Sequence, residues 1–421
     1  MTDPAPRATW APWWVLVCLV LCPWYAAAGV ALALGAIVTT GWLGMRRFRG
    51  GDELLSREAW ALTSALFFSY WLPELLSCID AIDPFGSVRE VLTDLRYLPF
   101  LWMCAIAVHR PGDRRIVYTG IAIIALAWSL DGLVQAVTGY SIGGPAAADR
   151  ISGVFGAKHP HLGQVLASLA AFPLGMAAKR SGALGWLGVA LLIGSVILLA
   201  GARAAWITFA LVLLFSGWRL LGWKRMLGVF VAGAIALVVL AVAFPRSLHE
   251  RLALTEAVFS GDQAGLDQAL SGRLRIWEAA ACMVREHPIN GVGVREYRDA
   301  YAGCVPQHLG KPAWGEGGAL HAHQIVLEVL SETGVLGLLL WLVGAAIAIR
   351  AWRFATPKAR SRAAMPAIAL AVTVFPLNTH LAFYSSFWGG LTLLLVGLYA
   401  GALFGDDAAV ESADSPGAGL P

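Results

Sequence analysis

Residues 334–352 read Gly-Val-Leu-Gly-Leu-Leu-Leu-Trp-Leu-Val-Gly-Ala-Ala-Ile-Ala-Ile-Arg-Ala-Trp, with no charge before Arg350. An α-helix needs about 20 predominantly apolar residues to cross the hydrocarbon of a bilayer, and a cation directly after such a run marks where the chain meets water. The pattern recurs along the whole chain. Comparable stretches at 11–22, 25–44, 58–77, 95–110, 116–137, 160–178, 183–201, 204–221, 226–244, 363–381 and 384–404 bring the expected number of spans to twelve. The first two share one apolar run, Trp13 to Leu43, which at 1.5 Å per residue overshoots a single crossing and is divided at Pro23 and Tyr25.

Composition agrees. Of 421 residues, 58% are hydrophobic and 14% charged, with a mean hydropathy of +0.67. A soluble domain is nearer half apolar and a quarter charged, so a water-soluble enzyme is excluded. Lys and Arg number 31 against 27 Asp and Glu, a net charge of +4, which also excludes nucleic-acid binding through bulk charge. Eighteen Trp suit a protein anchored at two water–lipid interfaces.

The positive-inside rule orients the spans. Arg46, Arg47 and Arg49 follow the second; Arg110, Arg114 and Arg115 the fourth; Lys179 and Arg180 the sixth; Arg219, Lys224 and Arg225 the eighth; Arg350, Arg353, Lys358, Arg360 and Arg362 the tenth. Every even-numbered loop is basic, which predicts two cytoplasmic termini. Residues 1–28 also admit a signal-peptide reading, with Arg7, an apolar stretch and Ala26-Ala27-Ala28; the rest of the topology is the same either way.

The organisation expected is 1–244 with nine spans, a large outward loop domain at 245–333, three more spans at 334–404, and a disordered tail at 405–421. A structureless loop as long as 245–333 is rare, so it should fold by itself. Ser271 is placed to cap a helix whose apolar positions are Leu274, Trp277, Ala281 and Val284, ended by Pro288, Gly291 and Gly293. A second helix is expected to start after Gly317-Gly318 and run through His323 towards Gly334. Cys18, Cys22 and Cys104 lie in spans, where a thiol acts as a small hydrophobe. Cys282 and Cys304 share the large loop and pair if that side is oxidising; the alternative is that Cys282 faces the packed side of its helix.

Arginines on the outward side need another explanation than topology. The large loop carries Arg246, Arg251, Arg273, Arg275, Arg285, Arg295 and Arg298, with Lys311. A guanidinium binds phosphate through a fixed fork, so these residues suit a lipid-linked phosphate or pyrophosphate. They equally suit a solvated face paired with Glu250, Asp262, Asp267, Glu278 and Glu286. Arg203 stands between two spans with almost no loop, where a cation needs a partner or snorkels to the interface. Arg150 and Lys158, before the sixth span, form either a second rim of the same site or ordinary loop. His323 is expected near a helix start, where neutral imidazole and anionic ligands are favoured; it is either a general base for a sugar hydroxyl or a hydrogen-bonded core histidine. A zinc site from His321 and His323 is disfavoured, because residues two apart on a helix diverge.

These motifs resemble the O-antigen ligase and polymerase superfamily. His323-Gln324, nine residues, then Gly334 and Gly337 resembles its His-Gln…Gly-x-x-Gly signature. Ser271-Gly272-Arg273 with Trp277, His287-Pro288 and Gly291-Val292-Gly293 resembles its large periplasmic loop. The Arg203 segment resembles a Ser-Arg element, with Ala202 in place of Ser, and the Arg150–His161 stretch a Gly-x-Phe…Pro-Asn element, with His161 in place of Asn. The resemblance implies an all-α, polytopic membrane glycosyltransferase of GT-C type, with about 12 transmembrane helices and one large helical periplasmic loop, in the bacterial inner membrane.

The activity implied is transfer of O-antigen from undecaprenyl pyrophosphate to lipid A-core in lipopolysaccharide biosynthesis, inverting, without a cofactor, metal or nucleotide sugar. Relatives extend the glycan as polymerases or glycosylate proteins. No Asp-x-Asp or carboxylate cluster suggests a divalent-metal site. By the same resemblance His323 is the catalytic residue, as base or as pyrophosphate ligand. Arg203, Arg273 and Arg275 bind the pyrophosphate, and His321, Gln324, Arg298, Arg150 and His161 support them. Membrane lipids, the glycan donor and the lipid A-core acceptor are the expected partners, with no nucleic acid, and a monomer suffices. A transporter is the rival class, but the chain shows none of the internal symmetry common there.

Overall fold

The computed structural model describes residues 8–48, 54–147, 150–228, 231, 272–305, 318–378 and 382–406. Eight helical stretches among them are long and apolar enough to cross a membrane: Tyr25–Phe48, Arg57–Asp80, Pro84–His109, Pro111–Thr138, Ala171–Leu199, Arg203–Leu221, Ile325–Phe354 and Ser386–Leu403. The protein is a multi-pass membrane protein. In chain order the helices are α1 (Ala11–Val20), α2 (Tyr25–Phe48), α3 (Arg57–Ser77), α4 (Pro84–Asp94), α5 (Tyr97–His109), α6 (Pro111–Thr138), α7 (Leu162–Leu169), α8 (Ala171–Leu199), α9 (Arg203–Leu221), α10 (Arg273–Glu286), α11 (Tyr297–Ala300), α12 (Ile325–Phe354), α13 (Pro357–Arg362), α14 (Ala364–Thr373) and α15 (Ser386–Leu403).

The expected twelve spans need correction in several places. Helices α1 and α14 have 10 residues each, roughly 15 Å of helix and half the hydrocarbon thickness. Pro376 explains the second case, since the residue before a proline is pushed out of the helical region. The spans expected at 160–178 and 183–201 do stay distinct, since α8 is broken at Gly182, whose φ of 61° and ψ of −144° are non-helical. The two arms run side by side, because a Cβ on Gly163 would stand 3.1 Å from that of Ala200. Helix α4 occupies what the sequence reading takes for a loop. Most of the span expected at 226–244, and the tail beyond 406, lie outside the described residues.

Charge divides the bundle into two ends. At one end Asp406 N donates to His109 O, Arg362 Nε to Ala402 O and Tyr118 Oη to Arg362 O. This end gathers the loops that the positive-inside rule assigns to one side. At the other end the loop 77–87 is bound to the segment 290–294. Ile82 N donates to Val292 O, Val294 N to Ser77 Oγ, and Asn290 Nδ2 to Asp80 Oδ2.

The same segment clasps a break in α12. Gly334 takes φ 66° and ψ −168°, a region essentially reserved for glycine, which orphans main-chain groups on both sides of it. Val292 N and Gly293 N donate to Ser331 O and Glu332 O at 2.9 and 3.1 Å; Val335 N and Leu336 N donate to Pro288 O and Ile289 O at 2.9 and 3.1 Å. A Cβ on Gly334 would strike the Ile289 carbonyl, and one on Gly291 (φ 74°) the Glu332 backbone. Past the break, Gly337 and Gly344 bring α12 against Pro73 and Ser69 of α3, the close backbone approach that small residues permit in membranes.

A second, smaller hydrophobic core lies over this end, built from Ile276, Ala279, Ala280 and Met283 of α10 with Val292, Tyr297, Tyr301, Cys304, Ala319 and Ala322. The expected face of α10 is thus rotated: Arg275, Ile276, Ala279, Ala280 and Met283 are buried while Ala281 is exposed. Apolar residues occur on both sides of this helix, so periodicity does not single out the side on which α12 and the 297–304 turn lie. Ser271 lies outside the described residues, and Gly272 in the left-handed region (φ 77°) precedes the helix. Cys282 and Cys304 form a disulfide across 22 residues of chain. Cys282, half-buried, also packs against this core, as the alternative reading expects.

Three stability measurements follow. Gly334→Ala, which forces a side chain into a glycine-only conformation costing about 1–3 kcal/mol before the Ile289 clash is counted, lowers Tm in detergent. Gly188→Ala, with nothing within 4 Å of its Cβ, does not. Replacing both Cys282 and Cys304 by Ser removes about 3 kcal/mol of loop-closure stabilisation, and reductant lowers the Tm of the unaltered protein equally. Glu296 has its carboxyl pushed up to about 7, first by burial and then by Asp299, Asp83 and Glu332. Folding therefore favours its protonated form, and the stability this gives is present below the ordinary carboxylate range and lost as pH rises through about 7. Glu296→Gln raises Tm at pH 8 relative to the unaltered protein, and the difference vanishes at pH 4.

Candidate active site

Two arginines each begin a helix at the end of the bundle away from the basic loops. Arg203 opens α9 after an extended Ala202, and Arg273 opens α10 after Gly272; neither helix has a side-chain cap. The first-turn N–H groups of both helices, with the positive ends of their dipoles, stand beside the two guanidiniums, an arrangement that favours anions. The arginines are near enough to act on each other. Burial, and next the charge of Arg203, push the Arg273 guanidinium below its ordinary value. Arg203 is exposed and Arg273 half-buried. An anion lying between them would replace mutual repulsion by two charge-assisted contacts.

The neighbouring turn adds Arg150, which is exposed, its Cβ 3.7 Å from where one on Gly201 would be. Gly163, in the first turn of α7, lies so close that a Cβ on it would stand 3.8 Å from those of Ala202 and Ala205 on either side of Arg203. His161, half-buried just before α7, thus comes close to the start of α9.

His323 is not within the helix expected to contain it. It has φ 53°, a conformation uncommon outside glycine. Gln324 after it is extended and caps α12 by accepting Leu327 N on Oε1 at 2.6 Å. Gln324 therefore secures the helix start, rather than orienting the histidine or a sugar through that oxygen. Because 321 and 323 precede the helix, the divergence expected of helical neighbours does not apply, and their rings lie 3.9 Å apart. Among the described residues, the one group of three possible metal-ligand atoms is Cys282, Glu286 and Cys304, whose cysteines are bonded to each other.

Other expected members are placed elsewhere. Arg275 is only 1% exposed, on the packed side of α10, since two positions along a helix turn a side chain almost to the opposite face. Arg298 is exposed, and its charge reaches Glu332 instead. Lys158 is exposed.

The sequence reading misses a group of buried carboxylates under the His323 segment. Glu74 of α3 and Asp94 of α4 are buried with Glu328 and Glu332 of α12. Tyr70 Oη donates to Asp94 Oδ2 at 3.5 Å, Glu332 Oε2 accepts Arg295 N at 2.7 Å, and Arg295 Nε lies 3.7 Å from Glu90 Oε1. Glu328 Oε1 accepts Tyr384 N at 3.3 Å, and Thr333 Oγ1 and Tyr384 Oη are 3.2 Å apart. Non-helical backbone beside a membrane core survives only if its polar groups are satisfied. Glu328 does this for the stretch that leads into α15, and Glu332 holds Arg295 at its unusual φ of 65°. One signal was available: Glu74 sits inside an apolar run, and an ionisable residue there marks a functional or structural need.

No curated relative matches the chain. Residues 188–342 match a family model described as O-antigen ligase, a block that holds the Arg203, Arg273 and His323 segments together. Set among the membrane helices described above, this match supports membership of the chain in the O-antigen ligase superfamily, whose ligase- and polymerase-type members act on lipid-linked glycans in a membrane.

Proposed function

We propose that the protein is an O-antigen ligase, moving O-antigen from undecaprenyl pyrophosphate onto lipid A-core. In this reading it lies in the bacterial inner membrane with both termini cytoplasmic, and residues 245–333 form a periplasmic loop domain over the site. The observation that carries the reading is the electrostatic coupling of Arg203 and Arg273 at the starts of two uncapped helices. A pyrophosphate fits that geometry, since it brings two adjacent phosphoryl groups to two guanidinium forks and to the positive ends of two helices without side-chain caps.

The chemistry is a single displacement. The acceptor hydroxyl oxygen attacks the anomeric carbon from the face opposite the pyrophosphate, its proton passes to His323, and the anomeric carbon–oxygen bond breaks with its electrons left on the leaving phosphate. Attack from that face inverts the carbon. Arg203 and Arg273 stabilise the charge that grows on the leaving group, the interaction most strengthened in the transition state. Arg275, buried, supports α10 instead of touching the phosphate.

Purified protein given lipid-linked O-antigen and lipid A-core forms glycan-bearing core, and absence of that product overturns the proposal. Arg203→Lys and Arg273→Lys keep charge and lose the fork, and each lowers kcat about 10- to 100-fold. His323→Ala lowers it by roughly 100-fold or more. Full transfer by folded His323→Ala removes the base assignment.

A further inference from the structure

Beside the Arg203 turn, five rings gather at the same end of the bundle. The Tyr25 ring lies 4.6 Å from that of His159, 6.1 Å from His161 and 4.9 Å from Phe387. His161 lies 5.0 Å from Phe387 and 5.6 Å from Trp388. They come from three helix starts: Tyr25 opens α2, His161 precedes α7, and Phe387 and Trp388 lie in the first turn of α15. The patch is anchored on both sides. Gly163 fixes its α7 edge to Ala202 and Ala205 next to Arg203. Its α15 edge follows Tyr384, whose N–H is held by Glu328, one turn into the helix that begins after His323.

The polar tips of these rings are what packing alone leaves unexplained. Tyr25 Oη is buried and has no hydrogen-bond partner among the described residues. No side-chain hydrogen bond of His159 or His161 occurs there either, and the His159 ring is exposed beside them. Buried polar groups in folded proteins are nearly always paired. An exposed imidazole beside a half-buried phenol and a half-buried imidazole, backed by the buried rings of Phe387 and Trp388, matches one ligand chemistry well. The C–H face of a pyranose is electropositive and lies against the electron-rich face of a ring, while its hydroxyls both donate to imidazole nitrogen and accept from O–H. It suits phosphate poorly, having no guanidinium or ammonium among its rings.

We propose that Tyr25, His159 and His161, backed by the buried rings of Phe387 and Trp388, form a sugar subsite that takes a pyranose ring of the reacting glycan. This rests on the ligase reading for the source of the sugar. That source is either the donor residue next to the pyrophosphate or the end of the acceptor, and these are separable.

The test uses the full-length protein in lipid nanodiscs and measures affinity for three probes: undecaprenyl pyrophosphate without sugar, the same lipid carrying its glycan, and lipid A-core. Tyr25→Ala and His159→Ala are expected to weaken one glycan-bearing probe about tenfold and to leave the sugarless lipid within about twofold; the probe weakened names the source. Arg203→Lys weakens the sugarless lipid. Tyr25→Phe, which keeps the ring and removes the buried hydroxyl, gives a smaller loss on the same probe and serves if Tyr25→Ala does not fold. Unchanged affinity of both glycan probes in His159→Ala and Tyr25→Phe overturns the subsite, as does an equal loss on the sugarless lipid. Failure of the unaltered protein to bind any polyprenyl pyrophosphate overturns the ligase reading instead, and the lipid A-core arm then decides the subsite alone.

Discussion

Four main-chain hydrogen bonds join the Pro288–Gly293 turn to the break at Gly334, and the geometry of the site depends on them. The turn ends α10, the helix that begins at Arg273; the break follows the short arm of α12, which begins just after His323. Locking one to the other sets the start of α10 and the His323 segment at a fixed separation. Main-chain pairing suits this purpose because it leaves no rotamer freedom and satisfies groups that the break would otherwise strand near hydrocarbon. The glycines on both sides are required by approach distance, since a Cβ at either position would meet backbone.

Among the described residues around the clasp, the buried carboxylates Glu74, Asp94, Glu328 and Glu332 gather with Arg295 and Arg298, while Arg203 and Arg273 act on each other. Arg203 and Arg273 head helices without side-chain caps, and the positive ends of those helix dipoles add to their field. The carboxylates lie deeper, under the His323 segment, and two have assigned structural duties: Glu332 holds Arg295 and Glu328 holds the strand of irregular backbone before α15. The separation matters for the proposed chemistry. A carboxylate beside Arg203 and Arg273 would compete with the pyrophosphate, whereas one beneath the clasp secures the loops without doing so.

Much of this was legible in residue order. The apolar runs marked most of the membrane helices, because crossing hydrocarbon demands a length and composition that few other structures need. Arg203 stood out as a cation between two such runs, and Arg273 and His323 through their motifs. What failed were local rules applied where tertiary contacts decide. Residue order extends the helix over His323, which precedes the helix that Gln324 caps; it centres the buried face of α10 on the wrong side; and it does not show that Arg275 is buried on the packed side. The rings around Tyr25 went unseen because they come from three segments hundreds of residues apart.

Sequence alone therefore determined the membrane class and the two charged ends, and nominated the residues proposed for phosphate binding and proton transfer, since those follow from composition and from each side chain's own properties. Only the tertiary structure decided which arginines meet, what the Gly-rich motifs clasp, and which rings share one surface. Those are distances between parts of the chain remote in sequence, and no periodicity or local propensity contains them.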